Sequence, residues 1–253
     1  MTGDQAAFDL DPVALAREVE RYRWYHTLEL APGVVTDGMF DHRGAVDRYL
    51  LPADLSGLRC LDVGTMDGFW AFELERRGAV EVVAADVAKV DDLDWPARWR
   101  DRVEPSLDES KRARFELAHR ALGSRVQRVE RSVYELDVDL GRFDLVFCGD
   151  LLVHLKDPIT ALQRMHAVCR GSVIICNPVQ RFRLLPRRPL VQFDGIDEFQ
   201  WWLLSEPALR RMMLAVGFGR VESGPRFELP ARGGGHWRGL RAVLRGHLGP
   251  ELG

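Results

Sequence analysis

Cys60-Leu61-Asp62-Val63-Gly64-Thr65-Met66-Asp67-Gly68-Phe69-Trp70 is an apolar run that ends beside an acid, breaks at a glycine, and resumes after a second glycine. Residues 59–63 read as a short buried strand and 69–77 as a helix closed by Gly78. A glycine-bearing turn between strand and helix lets a ligand approach the backbone and brings it to a helix N-terminus. A dinucleotide-binding turn would need G-x-G-x-x-G. Counting from Gly64, Met66 takes the second glycine's place and Phe69 the third's, which obstructs the approach of a pyrophosphate. The pattern present is Asp-x-Gly-x-x-x-Gly. An acid at the strand's end suits a ligand with a cationic amino-acid moiety and would repel a diphosphate.

Working outward, the strand–helix grammar repeats. Glu81–Asp86, Val126–Val133, Phe143–Cys148 and Ser172–Cys176 read as further strands, and Arg220–Phe227 and Leu240–Leu244 as two more apolar stretches. Helices are expected over 108–122, Pro158–Val168 and Pro207–Val216. Short buried strands alternating with helices predict an α/β fold, a doubly wound, mostly parallel seven-stranded sheet with helices on both faces. Upstream, Asp11-Pro12 is a helix-start signal. It is followed by the aromatic cluster Trp24-Tyr25-His26, a loop over 32–44 and a second helix over Ala45–Leu50. The chain thus divides into an N-terminal helical cap segment, 1–44, and one domain, 45–253. The alternation fails over 177–206, an insertion after the fifth strand that carries Trp201-Trp202 and reads as a lid. In such sheets ligands bind beyond the carboxyl ends of the strands, at the switch in strand order. The loops after residues 63, 86, 133, 148 and 176 therefore form the candidate site.

Composition narrows the function. The chain has 253 residues, 46% hydrophobic and 29% charged, which excludes a disordered or fibrous protein and fits one large domain. The net charge of −3 removes the global positive excess expected of a nucleic-acid binder. Only Lys89, Lys111 and Lys156 are lysine among 35 basic residues. The four cysteines fit no CxxC or zinc spacing, and the acids and histidines form no metal set. The start has no basic segment followed by an apolar one, and no apolar run reaches the ~18–20 residues that span a bilayer. The expectation is a reduced, cytoplasmic protein without a membrane partner.

Asp86, ending the second strand 22 residues after Gly64, stands where a carboxylate takes the ribose hydroxyls of an adenosine. With it in place, the sequence resembles the class I S-adenosylmethionine-dependent methyltransferases. Leu61–Gly68 is similar to their first motif, Asp86 to their ribose-binding acid, Ser132-Val133 to the position beside the adenine and Phe143–Cys148 to their fourth strand. The resemblance spans about residues 45–245 and implies a Rossmann-like methyltransferase fold with S-adenosyl-L-methionine as cofactor. The implied cofactor residues are Asp62, Gly64, Thr65, Met66 and Gly68 in the first loop, Asp86 and Val87 after the second strand, then Ser132, Val133, Cys148 and Tyr25. Within the superfamily, Trp24-Tyr25-His26, Leu55-Ser56-Gly57 and Leu151–Pro158 resemble the tRNA wobble-uridine 5-oxyacetate methyl/carboxymethyltransferases. The carboxymethyl-transferring members carry a tyrosine before the shared histidine and an upstream lysine; here Val153 holds the tyrosine position and no lysine precedes Lys89. Arg241 alone matches their third anchor. Loss of the other two implies transfer of a plain methyl group.

A weak oxygen nucleophile needs a general base near the methyl, and histidine has a suitable pKa. His154, just beyond the fourth strand, is the first candidate, and its plainer reading is a histidine bonded to backbone. Asp150 is the second, as base or as ligand to the cofactor amine. For the acceptor, His26, Trp201, Trp202 and Arg181 are candidates; the histidine and tryptophans read equally as packing. Arg181, Arg183, Arg187 and Arg188 form a basic run that a phosphate-bearing substrate or a solvated loop would explain. Asp67 reads as a helix cap. The expected function is O-methylation of a small-molecule hydroxyl or carboxylate. The alternatives are methylation of a tRNA wobble uridine and a non-catalytic, cofactor-binding regulator.

Overall fold

The computed structural model describes residues 11–100, 106–182, 187–196, 199–232 and 238–249. Eight strands form the main sheet: β1 (Arg59–Val63), β2 (Glu81–Asp86), β3 (Gln127–Glu130), β4 (Phe143–Gly149), β5 (Cys169–Pro178), β6 (Phe218–Ser223), β7 (Phe227–Pro230) and β8 (Arg238–Leu248). They lie in the order β6-β8-β5-β4-β1-β2-β3, with β7 also paired to β8. β1 is parallel to both β2 and β4, so strand order reverses around β1 and opens the ligand crevice at its carboxyl end. β3 and β5 continue the parallel set, whereas β8 runs antiparallel to β5. β6 and β7 pair with opposite ends of β8 and share one sheet position, so the expected seven positions are filled.

Strand alternation divides the apolar residues into two cores. Cys60, Val82, Ala84, Leu145, Phe147 and Ile174 face one side, against α2 (Phe69–Arg76) and α3 (Ser106–Ala121). Leu61, Val63, Val83, Ala85, Val146, Cys148 and Ile175 face the other, against α4 (Pro158–Val168) and α5 (Glu206–Ala215). Because side chains alternate along a strand, Asp62 and Asp86 share the face of α2, while Cys148 points to the opposite core.

Several expected elements differ. The cap segment begins with helix α1 (Pro12–Val19), N-capped by Asp11 with Pro12 in its first turn, but continues as a two-stranded hairpin, Glu29–Ala31 with Val34–Val35. Ala45–Leu50 is one 3-10 turn over Val46–Tyr49, stopped by Leu50 at φ +57°. Val126–Val133 leaves the sheet at Glu130, because Ser132 and Glu135 form a capping box that starts a 3-10 turn instead. Arg220–Phe227 breaks between β6 and β7 at residues 224–226. The insertion holds a second hairpin, Val191–Phe193 with Trp202–Leu204. No helix among the described residues is long and apolar enough to cross a membrane.

Candidate active site

At the end of β1 the loop folds back on β2. Gly64 and Thr65 donate their N–H groups to the Ala85 carbonyl at 2.8 and 3.3 Å. Gly64 has φ +78°, and a Cβ there would meet the Leu151 side chain at 3.2 Å, so both the backbone shape and the packing call for glycine. Gly68 serves packing: at φ +94° a Cβ would meet Phe72 at 2.4 Å and Phe115 at 2.9 Å. Met66 occupies a left-handed conformation, φ +52°, that favours glycine and costs about 1–2 kcal/mol for other residues. The middle glycine of the turn is thus replaced in sequence while its backbone shape is kept.

Asp62 is 1% exposed, and its Oδ2, like Thr65 Oγ1, is buried without a hydrogen-bond partner. Burial, reinforced by the charge of Asp86, pushes its carboxyl up to about 7. An unsatisfied buried carboxylate oxygen costs stability unless a donor arrives. Asp86 is much better supplied: Oδ2 accepts the Met66 N–H at 2.8 Å, and Oδ1 accepts the Val87 N–H at 2.8 Å and the Lys111 ammonium at 2.6 Å. The Arg131 N–H bonds the Asp86 carbonyl, which brings Ser132 and Val133 beside the β2 end. Ser132 itself caps its turn, and the Val133 side chain is core. Cys148 is wholly buried against the far core, leaving only its backbone toward this site.

Asp67 does not cap α2, whose N-cap is Gly68. Its carboxylate accepts the N–H groups of Tyr25 and His26 at 2.8 and 2.9 Å and pairs with the His26 ring. Burial would raise its pKa, but His26 holds it below the usual carboxylate range. His26 is therefore a buried clamp residue, tilted against Phe69 and His42, that ties the N-terminal segment onto the glycine loop. The clamp leaves Tyr25 half-buried, its hydroxyl raised in pKa by burial and by Asp150.

Beyond β4, Asp150 also adopts a left-handed conformation, φ +50°. Its Oδ2 pairs at 2.7 Å with Arg241, whose side chain is 2% exposed, bonds the Leu229 and Gly239 carbonyls and lies over the Phe40 ring. Four residues on, His154 Nδ1 lies 2.6 Å from the Phe199 carbonyl. Burial holds this ring below the usual histidine range, so it is neutral at pH 7. A proton on Nδ1 then leaves the lone pair on Nε2. The adjacent Val153 carbonyl accepts the Trp201 N–H at 2.8 Å, so the insertion is stapled to the turn that carries His154. Both tryptophans brace it: Trp201 donates its indole N–H to the Asp94 carbonyl and Trp202 to that of Lys156. Arg181, Arg187 and Arg188 are exposed, and Arg183 lies outside the described residues.

Three contributors escaped the sequence reading. Lys111 reaches Asp86 from a helix 25 residues downstream. Trp95 stacks on Phe199 with ring centroids 5.2 Å apart, and Trp99 meets it edge-on at 5.1 Å, forming an aromatic wall beside His154. Two tryptophans at i, i+4 were the available signal. Asp94 joins four segments, accepting from the Tyr134 hydroxyl and the Lys156 N–H and ammonium, while its carbonyl takes Trp201. Among the described residues no cluster of histidine, cysteine or acids could hold a metal.

Residues 42–223 match the family model described as a methyltransferase domain. No curated protein sequence matches the chain. Among solved structures, the N-terminal domain of EvdMO1 with SAH bound is 17% identical, with a TM-score of 0.63 over 98% of this chain and 100% of that one. Against EvdMO1 as a whole, the likeness covers 48% of that protein. The 1,6-didemethyltoxoflavin-N1-methyltransferase of Burkholderia thailandensis, with 1,6-didemethyltoxoflavin and S-adenosylhomocysteine bound, is 19% identical, with a TM-score of 0.50 over 77% of this chain and 72% of that one. Magnesium protoporphyrin IX methyltransferase from Synechocystis PCC 6803 with SAM bound is 14% identical, with the same TM-score and coverage.

Proposed function

The chain belongs to the methyltransferase-domain family, and from that premise we propose that it is an S-adenosylmethionine-dependent methyltransferase that methylates an oxygen of a small molecule, a hydroxyl or a carboxylate. When bound, S-adenosylmethionine supplies an activated methyl group on a sulfonium. The residues at the β1–β2 end fit it. The orphaned Oδ2 of Asp62 is an acceptor for the amino-acid ammonium, the Thr65 hydroxyl stands beside that carboxyl, and Asp86 stands ready for a ribose hydroxyl.

The protein's remaining work is to align the acceptor and take its proton. The observation that carries the oxygen reading is His154, a neutral ring oriented by the Phe199 carbonyl with its basic nitrogen at Nε2. Asp150, paired with Arg241, is held as an acceptor near Tyr25 and is the better candidate for a cofactor or substrate contact than for a base. The hairpin Val191–Phe193 with Trp202–Leu204 acts as a braced lid, with Trp201, Trp202 and the Trp95–Trp99–Phe199 wall bounding the acceptor. The similar structures support a small acceptor: two are methyltransferases named for 1,6-didemethyltoxoflavin and magnesium protoporphyrin IX, and another was obtained with SAH and D-fucose.

A tRNA acceptor is the second reading, favoured by the exposed Arg181, Arg187 and Arg188 on the insertion. Incubation with methyl-labelled S-adenosylmethionine separates the two. Label is expected in small hydroxyl- or carboxyl-bearing compounds of a metabolite extract; label entering total tRNA alone would overturn the small-molecule reading.

A further inference from the structure

Lys111 is the one lysine of the three that is buried, its side chain 10% exposed against 7% for Asp86. It rises from α3 to the carboxylate that ends β2. The helix is fixed there: Phe115 packs on Phe72 over Gly68, and Arg114 donates to the Arg23 carbonyl at 2.8 Å. Lys111 is therefore built into the floor of the nucleoside site. Two inventories fail to close around it. An ammonium has three donors, and among the described residues its hydrogen-bond acceptor is Asp86 Oδ1. A carboxylate has about four lone-pair sites, and Met66, Val87 and Lys111 fill three on Asp86. Asp86 alone thus has room for one ribose hydroxyl donor rather than two.

We propose that Lys111 is a cofactor-binding residue, its ammonium donating to ribose oxygen while Asp86 accepts from the same diol. A hydroxyl is both donor and acceptor, so an acid–ammonium pair reads both of its functions, whereas a carboxylate reads one. Lysine suits the position in a chain whose other basic residues are nearly all arginine. A compact ammonium can bond one carboxylate oxygen and still face a ligand, whereas a guanidinium fork would span both oxygens. The proposal rests on the cofactor position argued above.

Calorimetric titration of the wild type and Lys111→Met with S-adenosylhomocysteine and its 2′-deoxy and 3′-deoxy forms is the test. The wild type is expected to lose about 10- to 100-fold in affinity with at least one deoxy form, the range for a hydrogen bond to a charged group. Lys111→Met is expected to bind the parent ligand about 10-fold or more weakly, and to lose clearly less than the wild type on going to that deoxy form, since only the Asp86 bond to that hydroxyl remains to be lost. Equal or tighter binding of the parent by Lys111→Met, or losses that simply add, would overturn the proposal. Amine acetylation of the wild type, read by mass spectrometry, needs no variant. Lys111 is expected to react more slowly with S-adenosylhomocysteine present, while Lys89 and Lys156 stay unchanged; faster reaction at Lys111 would mean that the ligand expels it, and would also overturn the proposal. A wild type that binds no S-adenosylhomocysteine would instead remove the cofactor position itself.

Discussion

The β1–β2 end and the β4–β5 end of the same sheet are built on different scales. At the first, backbone N–H groups of the Gly64–Gly68 loop bond the Ala85 carbonyl and the Asp86 carboxylate across one parallel strand pair. At the second, the contacts that matter span long stretches of chain: His154 to Phe199, Trp201 to Asp94 and Asp150 to Arg241. On the proposed function the first half holds the cofactor, and the second, assembled from the insertion, the loop after β2 and the last strand, meets the acceptor. Changes in the first should move cofactor affinity, and changes in the second should move turnover.

The largest expected effect lies in the second half. His154→Ala should lower kcat about 10²- to 10⁴-fold, the usual contribution of a general base, and leave the S-adenosylhomocysteine Kd within about 2-fold. Full activity in this variant, measured by labelled-methyl transfer, would remove the base role. A shifted Kd would blur the division between the two halves.

A smaller effect is expected at Asp62. Its carboxyl is raised to about 7 in the ligand-free fold, so below that pH it is mostly protonated and must lose a proton to receive an ammonium. Cofactor affinity should therefore rise with pH up to about 7, with up to one proton released on binding at pH 6. Calorimetry in buffers of different ionisation enthalpy measures that proton. Asp62→Asn should abolish the release and weaken binding about 10-fold or more, the scale of one charge-assisted bond. The stability of the ligand-free protein should show the opposite trend. A carboxyl raised in the folded state contributes stability below its unfolded pKa, near 4, and loses it as pH rises through about 7. The Asn variant should flatten that slope in thermal melts.

The smallest effect is at Met66. Its left-handed backbone is strained by about 1–2 kcal/mol and glycine's chain entropy returns part of that, so Met66→Gly should gain at most about 1 kcal/mol. Cofactor Kd should hold within about 2-fold, because the Met66 N–H to Asp86 is kept. A large loss of binding would show that the thioether side chain contacts the cofactor.

What could be read in advance follows the same division. The strand over 59–63 that carries Asp62, the glycine turn, the acid at Asp86 and the helix stop at Gly78 are local features, set within a few residues. The displacement of Cys148 to the far core was also readable, since it follows from strand alternation against Asp62 on the neighbouring strand. Asp67 looked like a helix cap because capping is local, yet its partners are Tyr25 and His26, more than 40 residues upstream. The 3-10 turn at Val46–Tyr49 stands where a helix was expected because Leu50 turns left-handed after four residues. Lys111, the Trp95–Trp99–Phe199 wall and the Asp150–Arg241 pair join segments that only tertiary packing brings together.

Titration of S-adenosylhomocysteine into the wild type and Asp86→Ala, with thermal melts to verify that both are folded, tests the central claim most directly. The wild type should bind one equivalent. The variant should bind at least about 100-fold more weakly, near 3 kcal/mol, because the ribose acceptor and the partners of Met66 and Lys111 go together. Equal affinity in the two proteins, or no binding by the wild type, would contradict the assignment of the β1–β2 end as the cofactor site.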